Sequence, residues 1–198
     1  MGAIQGGDMK NINLATAIIA LSIGTFAYGQ VDLDPDGIGV YFDEAATSNS
    51  THVQEITYSK IAYLILTNPS LDGLLTHWSA VVSAEYANLW GDVVAGGNIA
   101  LNMPYSNHFT FEVFVDPLEG YRTTSATVLA EVEFLELYPD QPVHIYVWEG
   151  VTYAVSEIGY TGANPSSGDW SLPVAVINDI APVAVESKPW GEVKALFR

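Results

Sequence analysis

The stretch ATVLAEVEF, residues 126–134, decides how this sequence is read. Ala126, Val128, Ala130, Val132 and Phe134 recur at every second position, with Thr127, Leu129, Glu131 and Glu133 between them. A period of two is the side-chain alternation of a strand that buries one face, whereas a helix needs apolar residues three and four apart. Neighbouring segments repeat the pattern. In HFTFEVFVD (108–116), Phe109, Phe111, Val113 and Val115 lie opposite His108, Thr110, Glu112 and Asp116. In VHIYVWE (143–149), Val143, Ile145 and Val147 lie opposite His144, Tyr146 and Trp148. Further strands are predicted over 39–43, 60–67, 76–86, 98–103, 152–158 and 172–177, about nine in all.

The segments between strands, such as TNPSLDG, DPLEG and YPDQP, hold the Gly, Pro, Asn and Asp residues that reverse a chain. No helical pattern of ten or more residues separates the strands, which excludes the crossovers of a parallel βαβ sheet. The predicted fold is all-β: a two-sheet, mostly antiparallel β-sandwich, jelly-roll or immunoglobulin-like. Trp78, Trp90 and Trp170 are expected to anchor its core or the inter-sheet space.

Both ends differ from this body. Met9 and Lys10 open a polar segment, an uncharged and mostly apolar run follows at 14–26, and Ala27-Tyr28-Gly29 supplies the small residues a signal peptidase reads. This predicts a signal peptide over 1–29 with Met9 as the start, an acidic leader at 30–37 and a sandwich domain over 38–180. A linker and amphipathic tail occupy 181–198. Export to the cell surface, medium or periplasm follows, with no membrane anchor after cleavage. In the tail, Pro189 suits a first helical turn and Trp190, Val193, Leu196 and Phe197 share one helical face, with Lys194 and Arg198 towards the end. So short a helix needs a surface to dock on.

Charge narrows the function. Between residues 30 and 186 there are 21 acidic residues against only Lys60 and Arg122. A body so acidic repels phosphate backbones, so nucleic acid is excluded as a partner. The chain has no cysteine, which excludes disulfides, thiolate metal sites and cysteine nucleophiles.

Catalytic motifs are missing: the sequence holds no G-x-S-x-G elbow, H-E-x-x-H, phosphate-binding loop or G-x-G-x-x-G. His52, His77, His108 and His144 show no metal-ligand spacing. Three groupings remain as candidate sites. The first is the row His144, Tyr146 and Trp148, an exposed aromatic strip able to stack on sugar rings, with Glu131 and Glu133 to bond hydroxyls if their strands are neighbours. The second is QVDLDPDGIGVYFD (30–43), where Asp32, Asp34, Asp36 and Gly37 follow the spacing of a calcium loop and Asp43 takes its twelfth position. Calcium is the one cofactor it suggests, held by the three aspartates with carboxylates from elsewhere, because 40–43 is also needed as a strand. The third is the tail, through Trp190, Lys194, Phe197 and Arg198, as a docking or sorting element.

Three segments together, IGVYFDEAAT (38–47), PSSG with LPVAVIND (165–179) and the ending W-G-x-x-K-x-L-F-R (190–198), resemble a group of uncharacterised exported β-sandwich proteins of Gram-negative environmental bacteria. More remotely, GLLTHWSAVVSAEY (73–86) and the strand count are similar to cohesin and carbohydrate-binding sandwiches of secreted bacterial proteins, which implies adhesion or polysaccharide binding. The resulting expectation is a non-enzymatic binding or structural module of the envelope or extracellular space, working with a protein partner or by self-assembly. A carbohydrate-binding module built on the aromatic row is the alternative, and a glycoside or other hydrolase the third.

Overall fold

Each alternating segment must bury its apolar face, and two sheets facing one another achieve this for all of them. The computed structural model describes residues 32–96, 100–101, 107–156 and 158–178. Its strands are β1 (Gly37–Tyr41), β2 (Ser50–Thr51), β3 (Thr57–Thr67), β4 (Leu75–Ala84), β5 (Asn88–Val93), β6 (Ala100–Leu101) and β7 (His108–Phe114). They continue with β8 (Ala126–Leu137), β9 (Val143–Val147), β10 (Thr152–Val155), β11 (Ile158–Gly162), β12 (Asn164–Pro165) and β13 (Ala175–Ile177). The smaller sheet has the order β12-β1-β3-β8-β5. The larger runs β11-β10-β4-β9-β13-β2, with β7 also on β4 and β6 on β7. Because β7 pairs with residues 77–83 of β4, β10 (at 75–79) and β9 (at 82–84) divide the other edge between them. All pairs are antiparallel except two, β1 with β12 and β2 with β13, which join the first strands to the last in parallel.

The two-sheet sandwich predicted from the alternation is therefore the fold, with all nine predicted strands present in whole or in part. Four strands escaped the sequence reading: β2, β5, β11 and β12. The predicted strand 152–158 is strand only as far as Val155, since Ser156 takes φ 51° and β11, from Ile158, folds back on β10. The deciding stretch itself holds a second correction. Leu64 pairs with Ala130 but Ile65 pairs with Val128, so Leu129 is an extra residue, a β-bulge. Beyond it the faces exchange. Ala130, Val132 and Phe134 join the core with Leu129, while Ala126 and Val128 pack on the outer side against Tyr41, Ala46 and Ile65.

Between the sheets, Trp78 is fully buried, its indole Nε1 donating to the Ala95 carbonyl at 2.8 Å. Its ring lies 5.2 Å from that of Phe111, which is 4.5 Å from Phe109. Gly91 faces these rings from β5: a Cβ there would stand 2.7 Å from Phe111 Cζ and 3.0 Å from Phe109 Cζ. Trp170 packs at the margin of this core. Trp90 does not: it points out of the smaller sheet and is 46% exposed. Residues 1–31 and 179–198 lie outside the described residues, and with them the predicted signal peptide and the tail residues Trp190, Lys194, Phe197 and Arg198.

Candidate functional site: two outer sheet faces

In a sandwich, residues opposite one another on paired strands point to the same side, so register alone assembles the outer faces. Tyr146, Ser83 and His108 form one row across β9, β4 and β7 of the larger sheet. Thr152, Ser79 and Glu112 form another, and Ala154, His77 and Phe114 a third, across β10, β4 and β7. Trp148 follows β9 and lies across the first row, its indole Nε1 donating to Ser83 Oγ at 2.8 Å and its ring stacking on His108 at 5.9 Å between centroids. His144 Nδ1 is 3.1 Å from Glu85 Oε2. Partial burial, reinforced by the Glu85 charge, raises the Tyr146 phenol above its ordinary pKa.

The predicted row of His144, Tyr146 and Trp148 is thus one part of a wider ring-lined face. At the opposite end of β4, His77 is buried with Nε2 2.7 Å from Glu112 Oε1. Phe114 and Tyr160 lie against its ring at 4.8 and 4.9 Å. Phe114, Trp148 and Tyr160 are 58%, 50% and 64% exposed. Histidines with no common spacing in sequence are brought together here, as His77, His108 and His144 all stand on this one face. Phe114 carried the available signal: it falls on the polar side of the HFTFEVF alternation, where an apolar ring has no core to enter.

Glu131 and Glu133 are not beside this row. They belong to β8 in the other sheet and point out of the opposite side of the molecule. There the register places Ile61, Glu133 and Trp90 in one line across β3, β8 and β5, and Tyr63, Glu131 and Asp92 in the next. Ile61, Trp90, Asp92, Glu131 and Glu133 line a shallow cavity of about 200 Å³. Two carboxylates side by side on an open strand face lack the cleft that places general acid and nucleophile on either side of a scissile bond.

The acidic segment is tied into the sandwich rather than gathered around a point. Asp32 is buried, with Thr67 Oγ1 donating to its Oδ2 and the Asp34 backbone N–H to its Oδ1, both at 3.0 Å. Asp36, at φ 58°, accepts from the Ser70 N–H at 2.7 Å and from the Tyr153 hydroxyl through a short hydrogen bond. Asp34 is exposed. Asp43 closes its own loop, accepting from the backbone N–H groups of Ala45 and Thr47. Among the described residues no group of three or more His, Asp or Glu side chains is placed to hold a metal ion. Burial pushes the Tyr41 phenol, beside Asp32, up to about 12. Burial, with the bond to Asp36 second, also raises that of Tyr153.

The class that this geometry defines is a two-sheet β-sandwich whose outer faces are chemically distinct. No protein-family model matches the sequence, and no curated protein sequence matches it. Solved structures that are similar to it include the sixth cohesin of scaffoldin B from Acetivibrio cellulolyticus, in complex with a Cel5 dockerin. That similarity has 13% identity and a TM-score of 0.46, covering 72% of this chain and 96% of that one. A type II cohesin domain from the cellulosome of the same organism gives 14% identity and a TM-score of 0.45, covering 72% and 93%. The seventh ScaB type I cohesin of Pseudobacteroides cellulosolvens gives 13% and 0.42, covering 72% and 89%. At these values the likeness transfers no residue role and no partner. Among the described residues no helix is long and apolar enough to cross a membrane.

Proposed function

We propose that this protein is an exported, non-enzymatic binding module that recognises a protein partner through the ring-lined outer face of its larger sheet. The observation that carries this reading is the exposure of Phe114, Trp148 and Tyr160 on that one face. An apolar ring left in water forgoes about 1.5–3 kcal/mol of burial free energy, and apolar surface gathered on one face marks a place where another molecule sits. Phe114 and Tyr160 stand on hydrogen-bonded strands and Trp148, just past β9, is held by its backbone N–H to the Val81 carbonyl, so little ordering entropy is lost on binding. The rings are interspersed with Ser79, Ser83, Thr110 and Glu112, which suits the mixed chemistry of a protein interface.

The second reading, a carbohydrate-binding module, draws on Trp148 alone. Its Nε1 is satisfied within the protein by Ser83, and its half-exposed ring is available for stacking on a sugar. One experiment separates the two. The full chain is immobilised and offered envelope and culture-medium fractions of the producing cells, and separately insoluble polysaccharides, beside Phe114→Ala and Trp148→Ala variants of equal melting temperature. The proposal expects a specific protein retained by the wild type and lost from both variants. Polysaccharide retention abolished by Trp148→Ala alone establishes the second reading, and equal retention by wild type and variants removes this face as the site.

A further inference from the structure

The outer face of the smaller sheet is half covered by the chain itself. Over one half the segment after β1 folds back so that Ala46 buries Tyr41 and Ile65, with Tyr63, Ala126 and Val128 against them. The other half is bare, with Ile61 and Trp90 each nearly half exposed beside the carboxylates of Asp92, Glu131 and Glu133. Nothing cationic among the described residues serves it. Lys60 and Arg122 are the only Lys or Arg there, and Lys60 Nζ sits 6.0 Å over the Phe42 ring while Arg122 pairs with Asp72 at 3.7 Å.

We infer that residues 188–198 of the same chain, KPWGEVKALFR, seat on this bare half of the smaller sheet. Charge complementarity is the first argument. Lys188, Lys194 and Arg198 against the single Glu192 form a basic segment in a chain whose body is acidic, and Lys194 lies between Trp190 and Phe197 in sequence. A cation flanked by rings matches carboxylates flanked by Trp90 and Ile61, through charge pairing and stacking together.

The point of departure is the second. Asn178, the last described residue, donates from Nδ2 to the carbonyls of Tyr138 and Gln141 at 2.8 and 3.2 Å, immediately past the end of β8. From there the outward row along β8 runs Leu135, Glu133, Glu131. At about 3.3 Å per strand residue, Glu133 is ~17 Å from Tyr138. The nine residues 179–187 span up to ~30 Å when extended. Asn178 thus stands at the foot of the strand that carries the acids, and the length of chain that follows it is enough to reach them.

The test is carbodiimide cross-linking of the full chain, which joins a lysine amine to a carboxylate only at contact distance. An equal mixture of ¹⁵N-labelled and unlabelled protein tells links within a chain from links between copies. Expected are links from Lys188 or Lys194 to Asp92, Glu131 or Glu133 within one chain. Their yield should fall about fivefold or more in Trp90→Ala, which leaves every carboxylate in place and removes an exposed ring of the size that anchors such contacts. Glu85→Gln with Glu112→Gln, on the opposite face, should not alter it. Links spread over acids of both faces, a pattern unchanged by Trp90→Ala, or links joining labelled to unlabelled chains would each overturn the inference.

Discussion

Tyr153 performs two tasks with one hydroxyl: it donates to Asp36 and accepts from the Leu71 backbone N–H at 3.3 Å. It thereby ties the segment before β1 to the loop between β3 and β4, where Asp36 also takes the Ser70 N–H. Of the aspartates that read as a calcium loop in sequence, Asp32 and Asp36 also tie neighbouring loops together at this scale. Their spacing is legible, but whether carboxylates converge on an ion or on backbone donors depends on loops remote in sequence, which spacing does not encode. The same neighbourhood holds the fully buried Tyr41, and it makes stability sensitive to alkali. A phenol whose pKa is raised on folding stabilises the native state fully below its unfolded value near 10, and that contribution is lost as pH rises through about 12. Stability should therefore fall by about 1.4 kcal/mol per pH unit across that window from Tyr41 alone. Urea unfolding at pH 7, 10 and 12 measures it. Tyr41→Phe should flatten this limb, and a variant with the wild-type slope would place the alkaline sensitivity elsewhere.

β5 and the bulge in β8 show what alternation reveals and what it leaves out. NLWGDV does not register as a strand in sequence, because its inward positions are Leu89, Gly91 and Val93 with a glycine at the centre, while Trp90 puts an apolar ring on the outward side. Gly91 is there for the facing sheet, whose Phe109 and Phe111 rings fill the space a side chain would take. Gly91→Val should cost about 1–3 kcal/mol through overpacking, seen as a lower melting temperature with the strands retained. Undiminished stability would mean that these rings move aside freely. Leu129 is hidden for another reason. It looks like an outward apolar residue in a regular strand, and only the register of β3, with Ile65 opposite Val128, reveals that the faces exchange there. Apolar content thus made the nine segments visible, whereas pairing decided which sheet each joined. That is also why Glu131 and Glu133 sit across the molecule from the row they were expected to serve.

Over the whole molecule, most of the charge is of one sign, and without disulfides the packing between the sheets must withstand its repulsion. Salt should relieve that load. Raising ionic strength from about 0.01 M to about 0.5 M shortens the screening length from ~30 Å to a few ångströms, so the melting temperature should rise by several degrees, followed by calorimetry in sodium chloride. A flat or falling response would mean that the carboxylates are too dispersed to matter. Time enters through the two parallel pairs. Ile38 waits for Pro165, Ser50 waits for Val176, and the Val53 N–H waits for Asn178 Oδ1, 125 residues further on. Neither sheet closes until the last strands have emerged, which places folding on the order of milliseconds to seconds. A chain whose sheets close only when β12 and β13 arrive cannot hide its inner apolar faces while it is still being made.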